Sequence, residues 1–482
     1  MICEAVAICE VVAATLSIIQ RAERFDPVGT SSFSDMLQSI AERGRALIDR
    51  TRDRRGIAEQ RSANLAQLCE DLLSGRGEAS GVALAREILS RYGELKTGPR
   101  IAFFEALASR FGPDRNRLSA AASAWLSAPS DATASKVHRA SEPRRLELFR
   151  RLNLAPGGTA ALVRMREQLI DAMDHRDDLA VIDDDFLHLF SSWFNRGFLL
   201  LRSIDWSTPA NLLEKIIRYE AVHTIRDWND LRARIDSPDR RCYAFFHPAL
   251  VDEPLIFVEV ALTRGIPAAI DPILSAKREP VEPERATTAV FYSISNCQRG
   301  LAGVSFGHFL IKQVVEEVSR EIPRLATFIT LSPAPNFAEW LKRERAREGS
   351  VALSADDRAA LAALDRADWW RDEATVDMVH EPLLRAAAWY YLRARGPRGT
   401  PLDSVARFHL GNGARLERLN FLADTSERAM QQSHGLMVNY LYDLEHIEQN
   451  HEAYAQQHAI VAASAVTRLV RAPARDIVPA GE

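Results

Sequence analysis

The chain is poor in cysteine: five in 482 residues, at Cys3, Cys9, Cys69, Cys242 and Cys297. The count is odd, the spacings are irregular and no C-x-x-C pair occurs. That excludes a disulfide framework or a zinc ribbon as the organising device and fits a reducing compartment. An excess of one charge is missing too. Lys and Arg number 61 against 65 Asp and Glu, a formal net charge of −4. The basic surplus on which nucleic-acid affinity rests is therefore absent. Long apolar runs are missing as well; none approaches the ~18 residues of a membrane span. The most apolar stretch, Met1 to Gln20, carries Glu4 and Glu10 and has no cation before Arg21. An export signal starts basic, and each acid would cost roughly 2.5–3.5 kcal/mol at a bilayer centre. The stretch reads as a short extra helix or an overlong start. The expectation is a cytoplasmic protein with no membrane segment and no nucleic-acid partner.

What is present is an ordinary globular balance, 47% hydrophobic and 26% charged, on a chain long enough for about two to four domains. Two grammars divide it. From about Ser32 to His175 apolar residues recur at helical spacing: Met36, Leu37, Ile40, Leu47 and Ile48, then Leu65, Leu68, Leu72 and Leu73. Ile101, Phe103, Phe104 and Leu107 follow, then Leu162, Met165, Leu169 and Ile170. Breakers stand between them at Gly75-Arg-Gly77, Gly98-Pro99, Gly112-Pro113 and Pro156-Gly-Gly158. The acidic run Asp183-Asp-Asp185 marks the boundary, giving a helical domain over 1–183 and a second domain over 184–482.

In the second domain the pattern turns to short β-type runs. These are Leu255–Leu262, Thr287–Ser295, Leu325–Leu331 and Val405–Leu410. Gly411-Asn-Gly413 after the last is a turn signal that predicts a hairpin. Helices alternate with the strands, so the fold class is α+β: an all-α N-terminal domain and a mixed α/β C-terminal one.

The most informative stretch runs from Ser293 to Lys312. It reads strand, glycine-bearing loop, helix, with Phe306, Phe309, Leu310, Val314, Val318 and Ile322 setting the helix. A helix start has free backbone N–H groups and partial positive charge, so it can hold a phosphate. Gly300, Gly303 and Gly307 let an anion approach the backbone. No Gly-Lys-Ser/Thr closes the loop and no G-x-G-x-x-G is present, so the residues alone leave a phosphate loop and a plain turn both open.

Gln298-Arg-Gly-Leu-Ala-Gly303 resembles the pyrophosphate loop of the GCN5-related acetyltransferase fold. The wider set narrows the resemblance: Phe246–Leu250, Asp252-Glu-Pro254, Phe257–Val260, Phe291–Ser295, Gly307–Lys312, Leu331-Ser-Pro-Ala-Pro335, Phe408–Gly413 and Gly435–Tyr440. In this order they resemble the malonyl-CoA decarboxylase family, from about Ser32 to Leu469. The resemblance implies a helical domain that assembles a dimer or tetramer and an acetyltransferase-like domain that takes malonyl-CoA. It implies decarboxylation to acetyl-CoA with no metal, biotin or pyridoxal group, since CoA belongs to the substrate. It places the catalytic serine on Ser332 and the catalytic histidine on His409. The CoA loop falls on Ala302, Gly303, Val304, Ser305, Phe306, Gly307 and His308, with Arg299 and Gly300 before it and Tyr442 near the pocket. Unlike some eukaryotic relatives, the sequence ends Ala480-Gly-Glu482 rather than in a peroxisomal tripeptide.

The chemistry suits these residue types. Loss of carbon dioxide leaves charge on C2 and on the thioester oxygen, which must be stabilised and then protonated. Histidine donates protons near neutral pH, and a serine hydroxyl can hold a carboxylate or an imidazole. Cys297 and His308 stand near the loop, but nothing here needs an acyl-enzyme. A tail group, His446, His451 and His458, mimics a metal site. Five residues put His446 and His451 about 140° apart on a helix, and seven put His451 and His458 about 10.5 Å apart, too far for bonds of ~2.1 Å. Two other functions fit the same sequence. One is an acyl-CoA-dependent N-acyltransferase using the same loop; the other is a non-catalytic helical scaffold.

Overall fold

The computed structural model describes residues 65–470, apart from Gly75, Arg76, His175, 305–309 and Arg398. The expectations for Met1–Gln20, for Met36–Ile48 and for Ser305–His308 lie outside the described residues. The chain forms two compact units. The first comprises Met1–Trp193 together with Arg299–Val304, the second Phe194–Gln298 and Ser305–Glu482.

The described part of the first unit is helical, as its periodicity predicts. Leu65–Leu73 buries Leu68 and Leu72, Thr97–Arg110 buries Phe103, Phe104 and Leu107, and Gly158–Ala172 buries Leu162, Met165 and Leu169. Gly98-Pro99 is not a break: both residues sit in the first turn of Thr97–Arg110, where the missing proline N–H has no helical partner to lose. Phe149 of Arg144–Asn153 stacks on Phe186 at 4.3 Å and anchors the unit's centre. The acidic run at 183–185 is part of the helix Ala180–Trp193. Asp183 pairs with Arg166 at 2.7 Å and Asp185 with Arg145 at 2.6 Å. These carboxylates therefore neutralise buried guanidiniums and do not mark a solvated joint. The two family-independent compact units part at Trp193/Phe194.

The second unit is built on one sheet. Its strands are β1 (Leu200–Ile204), β2 (Arg240–Phe246), β3 (Pro254–Thr263), β4 (Thr288–Asn296), β5 (Thr327–Thr330), β6 (Ser332–Pro333), β7 (Arg415–Asn420) and β8 (Met437–Leu441). The order is β1-β2-β3-β4-β5-β8-β6, with β7 paired to β8. Among the described strands β4 and β5 are the one parallel pair, over Thr288–Phe291 and Thr327–Thr330. This is a mixed α/β arrangement, as the sequence predicts. Helix Leu310–Glu321 connects the parallel pair and buries Leu310, Val314 and Val318.

One predicted strand is a helix. Val405–Leu410 lies within Ser404–Gly411, because Asp403 caps it by accepting from the Ala406 N–H at 2.8 Å. The predicted hairpin turn is that helix's end. Gly413 holds φ of +82° and has the Ile447 carbonyl where a Cβ would stand, so only glycine closes the helix there. The tail is helical from Ile447 to Gln457, with Glu448 and Glu452 exposed as predicted. Among the described residues no helix is long and apolar enough to cross a membrane.

Candidate active site

Ser332 and His409 are 77 positions apart in sequence and adjacent in space. Ser332 follows β5 at the point where β5 leaves β4 and starts β6. His409 lies on the last turn of Ser404–Gly411. The Ser332 Oγ is 3.1 Å from His409 Nε2, and His409 Nδ1 is 2.8 Å from the Tyr442 hydroxyl. All three side chains are buried.

The surroundings hold this chain of groups still. The imidazole stacks on Tyr440 at 4.7 Å with 25° between planes. Phe291 meets the Tyr442 ring edge-on. Ser332 Oγ donates to Thr330 Oγ1 at 2.9 Å, and that oxygen also accepts the Tyr440 N–H at 3.1 Å. Asn439 donates to the Thr330 carbonyl at 2.7 Å. Thr330 and Tyr440 were not singled out from the sequence. The available signal was strand alternation, which puts residue 330 on the same face as 332.

Burial dominates the electrostatics. It alone lowers the His409 pKa to about 3, because the charged form loses its water. It also raises the Tyr442 hydroxyl well above its usual value. Imidazole and phenol are thus both neutral near pH 7.

The opposite face of the sheet carries a second buried polar cluster. Glu259 of β3 pairs with Ser293 and Val260 with Phe291, so Tyr292 is an extra residue and Phe291 and Ser293 face opposite ways. On the Ser293 side, Glu220 accepts from Ser293 at 2.9 Å, from Ser295 at 3.2 Å and from the His223 N–H at 2.6 Å. Arg234 reaches Glu259 at 3.2 Å. Burial first, and Glu220 second, raise the Glu259 pKa to about 8. Pro333, Ala334 and Pro335 line a cavity of about 410 Å³ together with His223, Arg234 and Arg428.

The remaining predicted residues divide. Arg299, Gly300, Ala302, Gly303 and Val304 form a short turn that belongs to the helical unit. Arg299 is half exposed and pairs with Asp171 at 2.6 Å. Lys312 pairs with Glu448 at 2.6 Å. Cys297 is buried and free, its thiol pKa pushed well up by desolvation, which removes it as a nucleophile. His451 Nδ1 bonds the Gly411 carbonyl at 2.6 Å and His446 bonds Asp443. No three His, Cys, Asp or Glu side chains gather as a metal site among the described residues.

Fold and site define a class: a helical N-terminal unit followed by a mixed α/β sheet unit with a neutral Ser–His contact where its parallel strands part. Comparison with known proteins is more specific. Residues 197–479 match the model of the malonyl-CoA decarboxylase C-terminal domain, and 111–194 that of the N-terminal domain. The chain belongs to the malonyl-CoA decarboxylase family. A mitochondrial malonyl-CoA decarboxylase of Anser anser anser is 35% identical over 80% of this chain and 82% of its own length. The crystal structure of malonyl-CoA decarboxylase from Rhodopseudomonas palustris shares 61% identity, covering 84% of this chain and 98% of that one, with a TM-score of 0.82. The one from Agrobacterium vitis shares 55%, covering 85% and 100%, with a TM-score of 0.80.

Proposed function

We propose that this chain converts malonyl-CoA to acetyl-CoA and carbon dioxide, with His409 as proton donor and Ser332 as its hydrogen-bond partner. The observation that carries the reading is the 3.1 Å contact between Ser332 Oγ and His409 Nε2 in a buried, uncharged setting. The bond from C2 to the carboxylate breaks, and its electron pair moves onto C2 and the thioester oxygen as an enolate. Desolvation disfavours the localised carboxylate charge more than the delocalised enolate. The imidazole is neutral, so the proton it gives is its own Nε2–H. The Tyr442 hydroxyl then donates to Nδ1, the tautomer this requires. Transfer to C2 leaves an imidazolate, a weaker base than the thioester enolate, so it runs downhill, and a proton from solvent restores Nε2–H. One proton is consumed for each carbon dioxide released.

The same reading needs no metal, biotin or pyridoxal group. It takes Ala302–His308 as the coenzyme A loop and the helical unit as the surface that builds a dimer or tetramer. Cytoplasmic location is supported by Cys69, Cys242 and Cys297, all buried and free. Multi-angle light scattering tests the assembly; a monomer at every concentration ends that part of the reading.

The deciding experiment is incubation with malonyl-CoA alone in the presence of a chelator. Carbon dioxide and acetyl-CoA should appear in equal amounts. No release without an added amine would turn the reading to an N-acyltransferase. His409→Asn should lower turnover by at least ~10² and leave coenzyme A binding intact.

A further inference from the structure

Arg166 is a buried arginine, 2% exposed, on the helix Gly158–Ala172. Its Nε and Nη2 meet the two oxygens of Asp183 at 2.7 and 3.2 Å. Its Nη1 donates to the Gly300 carbonyl at 2.9 Å and to the Ala302 carbonyl at 2.7 Å. The turn sits so close to this helix that a Cβ at Gly300 would overlap the Val163 carbonyl. A guanidinium that takes two carbonyls of one turn at once defines the orientation of two peptide planes.

In a trans peptide the carbonyl and the following N–H point opposite ways. Drawing the Gly300 and Ala302 carbonyls toward Arg166 therefore turns the Leu301 and Gly303 N–H groups away from it. Outward N–H groups on a glycine-bearing turn are what an anion needs. Arg166 cannot itself be the anion's ligand, because it is buried and its charge is balanced by Asp183. We propose that Arg166 is the positioning residue of the coenzyme A loop, aiming the Leu301 and Gly303 amides by holding the Gly300 and Ala302 carbonyls. The proposal rests on the reading of this turn as part of that loop.

The helical unit supplies its own control. Arg145 is 4% exposed, pairs with Asp185 at 2.6 Å and donates to the Leu107 and Ala108 carbonyls at 3.2 Å. It has the same burial, the same kind of partner and the same capping role, and no bond to the turn. Arg166→Met, Arg166→Lys and Arg145→Met are compared for coenzyme A affinity by calorimetry, for KM and kcat on malonyl-CoA, and for Tm. Arg166→Met should weaken coenzyme A about 10-fold and raise KM by the same factor, with kcat held within about twofold, the pattern of lost uniform binding. Arg166→Lys, with one ammonium for two carbonyls, should fall between. Arg145→Met should lower Tm comparably and leave coenzyme A affinity within about twofold.

Equal coenzyme A affinity in Arg166→Met and Arg145→Met overturns the proposal, as does a loss confined to kcat. If Arg166→Met does not fold, Arg166→Lys decides, and unchanged affinity there overturns it. A wild type that binds coenzyme A but releases no carbon dioxide removes the proposed function and leaves this inference standing. A wild type that does not bind coenzyme A removes both.

Discussion

Two buried polar clusters occupy the two faces of the sheet, and they treat charge in opposite ways. On the Thr330 face, Ser332, His409 and Tyr442 are joined by hydrogen bonds between neutral groups. On the Ser293 face, Glu220, Glu259 and Arg234 are joined by ionic contacts and by serine hydroxyls. Both are buried. The difference shows what burial does to a titratable group with no charged partner and to one with several. His409 has no charged partner and stays neutral to about pH 3. Glu259 has an arginine on one side and a second carboxylate nearby, and its pKa still rises to about 8. A cluster without fixed charge suits a reaction in which charge migrates within the substrate. A cluster with fixed charge suits holding β3, β4 and the segment after Ala210–Tyr219 together.

The sharpest way to break this contrast is to remove the imidazole. His409→Asn should cut turnover by ~10² or more, while Glu259→Gln should change it by less than about threefold. Comparable losses from both would place the ionic face in the chemistry as well. The next largest effect is on stability. Arg234→Met strips the cluster of its cation and should cost about 3–5 kcal/mol in denaturant unfolding. No equivalent loss should follow from Ser332→Ala, which leaves no charge behind.

The pH dependence separates the faces by sign. Glu259 has a folded pKa of about 8 against an ordinary value of 4.5. It binds more proton when folded, so its contribution to stability is full below 4.5 and is lost as pH rises toward 8. His409 has a folded pKa of about 3 against 6.5. It binds more proton when unfolded, so its contribution to stability is full above 6.5 and is lost as pH falls toward 3. Thermal melts from pH 6 to 8 should fall less steeply in Glu259→Gln than in the wild type. Identical slopes would remove Glu259 from this account. In kinetics, kcat/KM should show no transition near 6.5 from His409. The smallest effect belongs to Thr330→Val, which deprives Ser332 Oγ and the Tyr440 N–H of their shared acceptor. A loss of about 1 kcal/mol by chemical denaturation is expected.

Much of the fold was legible from pattern. The helices of the first unit carry their cores at three- and four-residue spacing, and β3, β4 and β5 are apolar runs of the right length. The segment 405–410 misled because Val405, Phe408 and Leu410 alternate like a strand over six residues. A run that short cannot separate two periods, and the Asp403 cap decided the matter. Asp183 and Asp185 read in the sequence as a boundary marker, and nothing local to the run shows that both are paired. Their buried partners, Arg145 and Arg166, lie 40 and 17 positions upstream. Ser332 and His409 were legible only through resemblance to a family, since neither residue stands out among ordinary turn serines and packed histidines.

Sequence alone determined the division into a helical and a mixed α/β part, because periodicity is local; it reached the serine and the histidine only through motifs shared with a family. Tertiary structure decided that the imidazole is neutral, that Thr330, Tyr440 and Tyr442 hold it, and that a helix-borne arginine grips the turn after β4. Those facts depend on desolvation and on contacts across many tens of residues, and neither quantity is written in any local run of the chain.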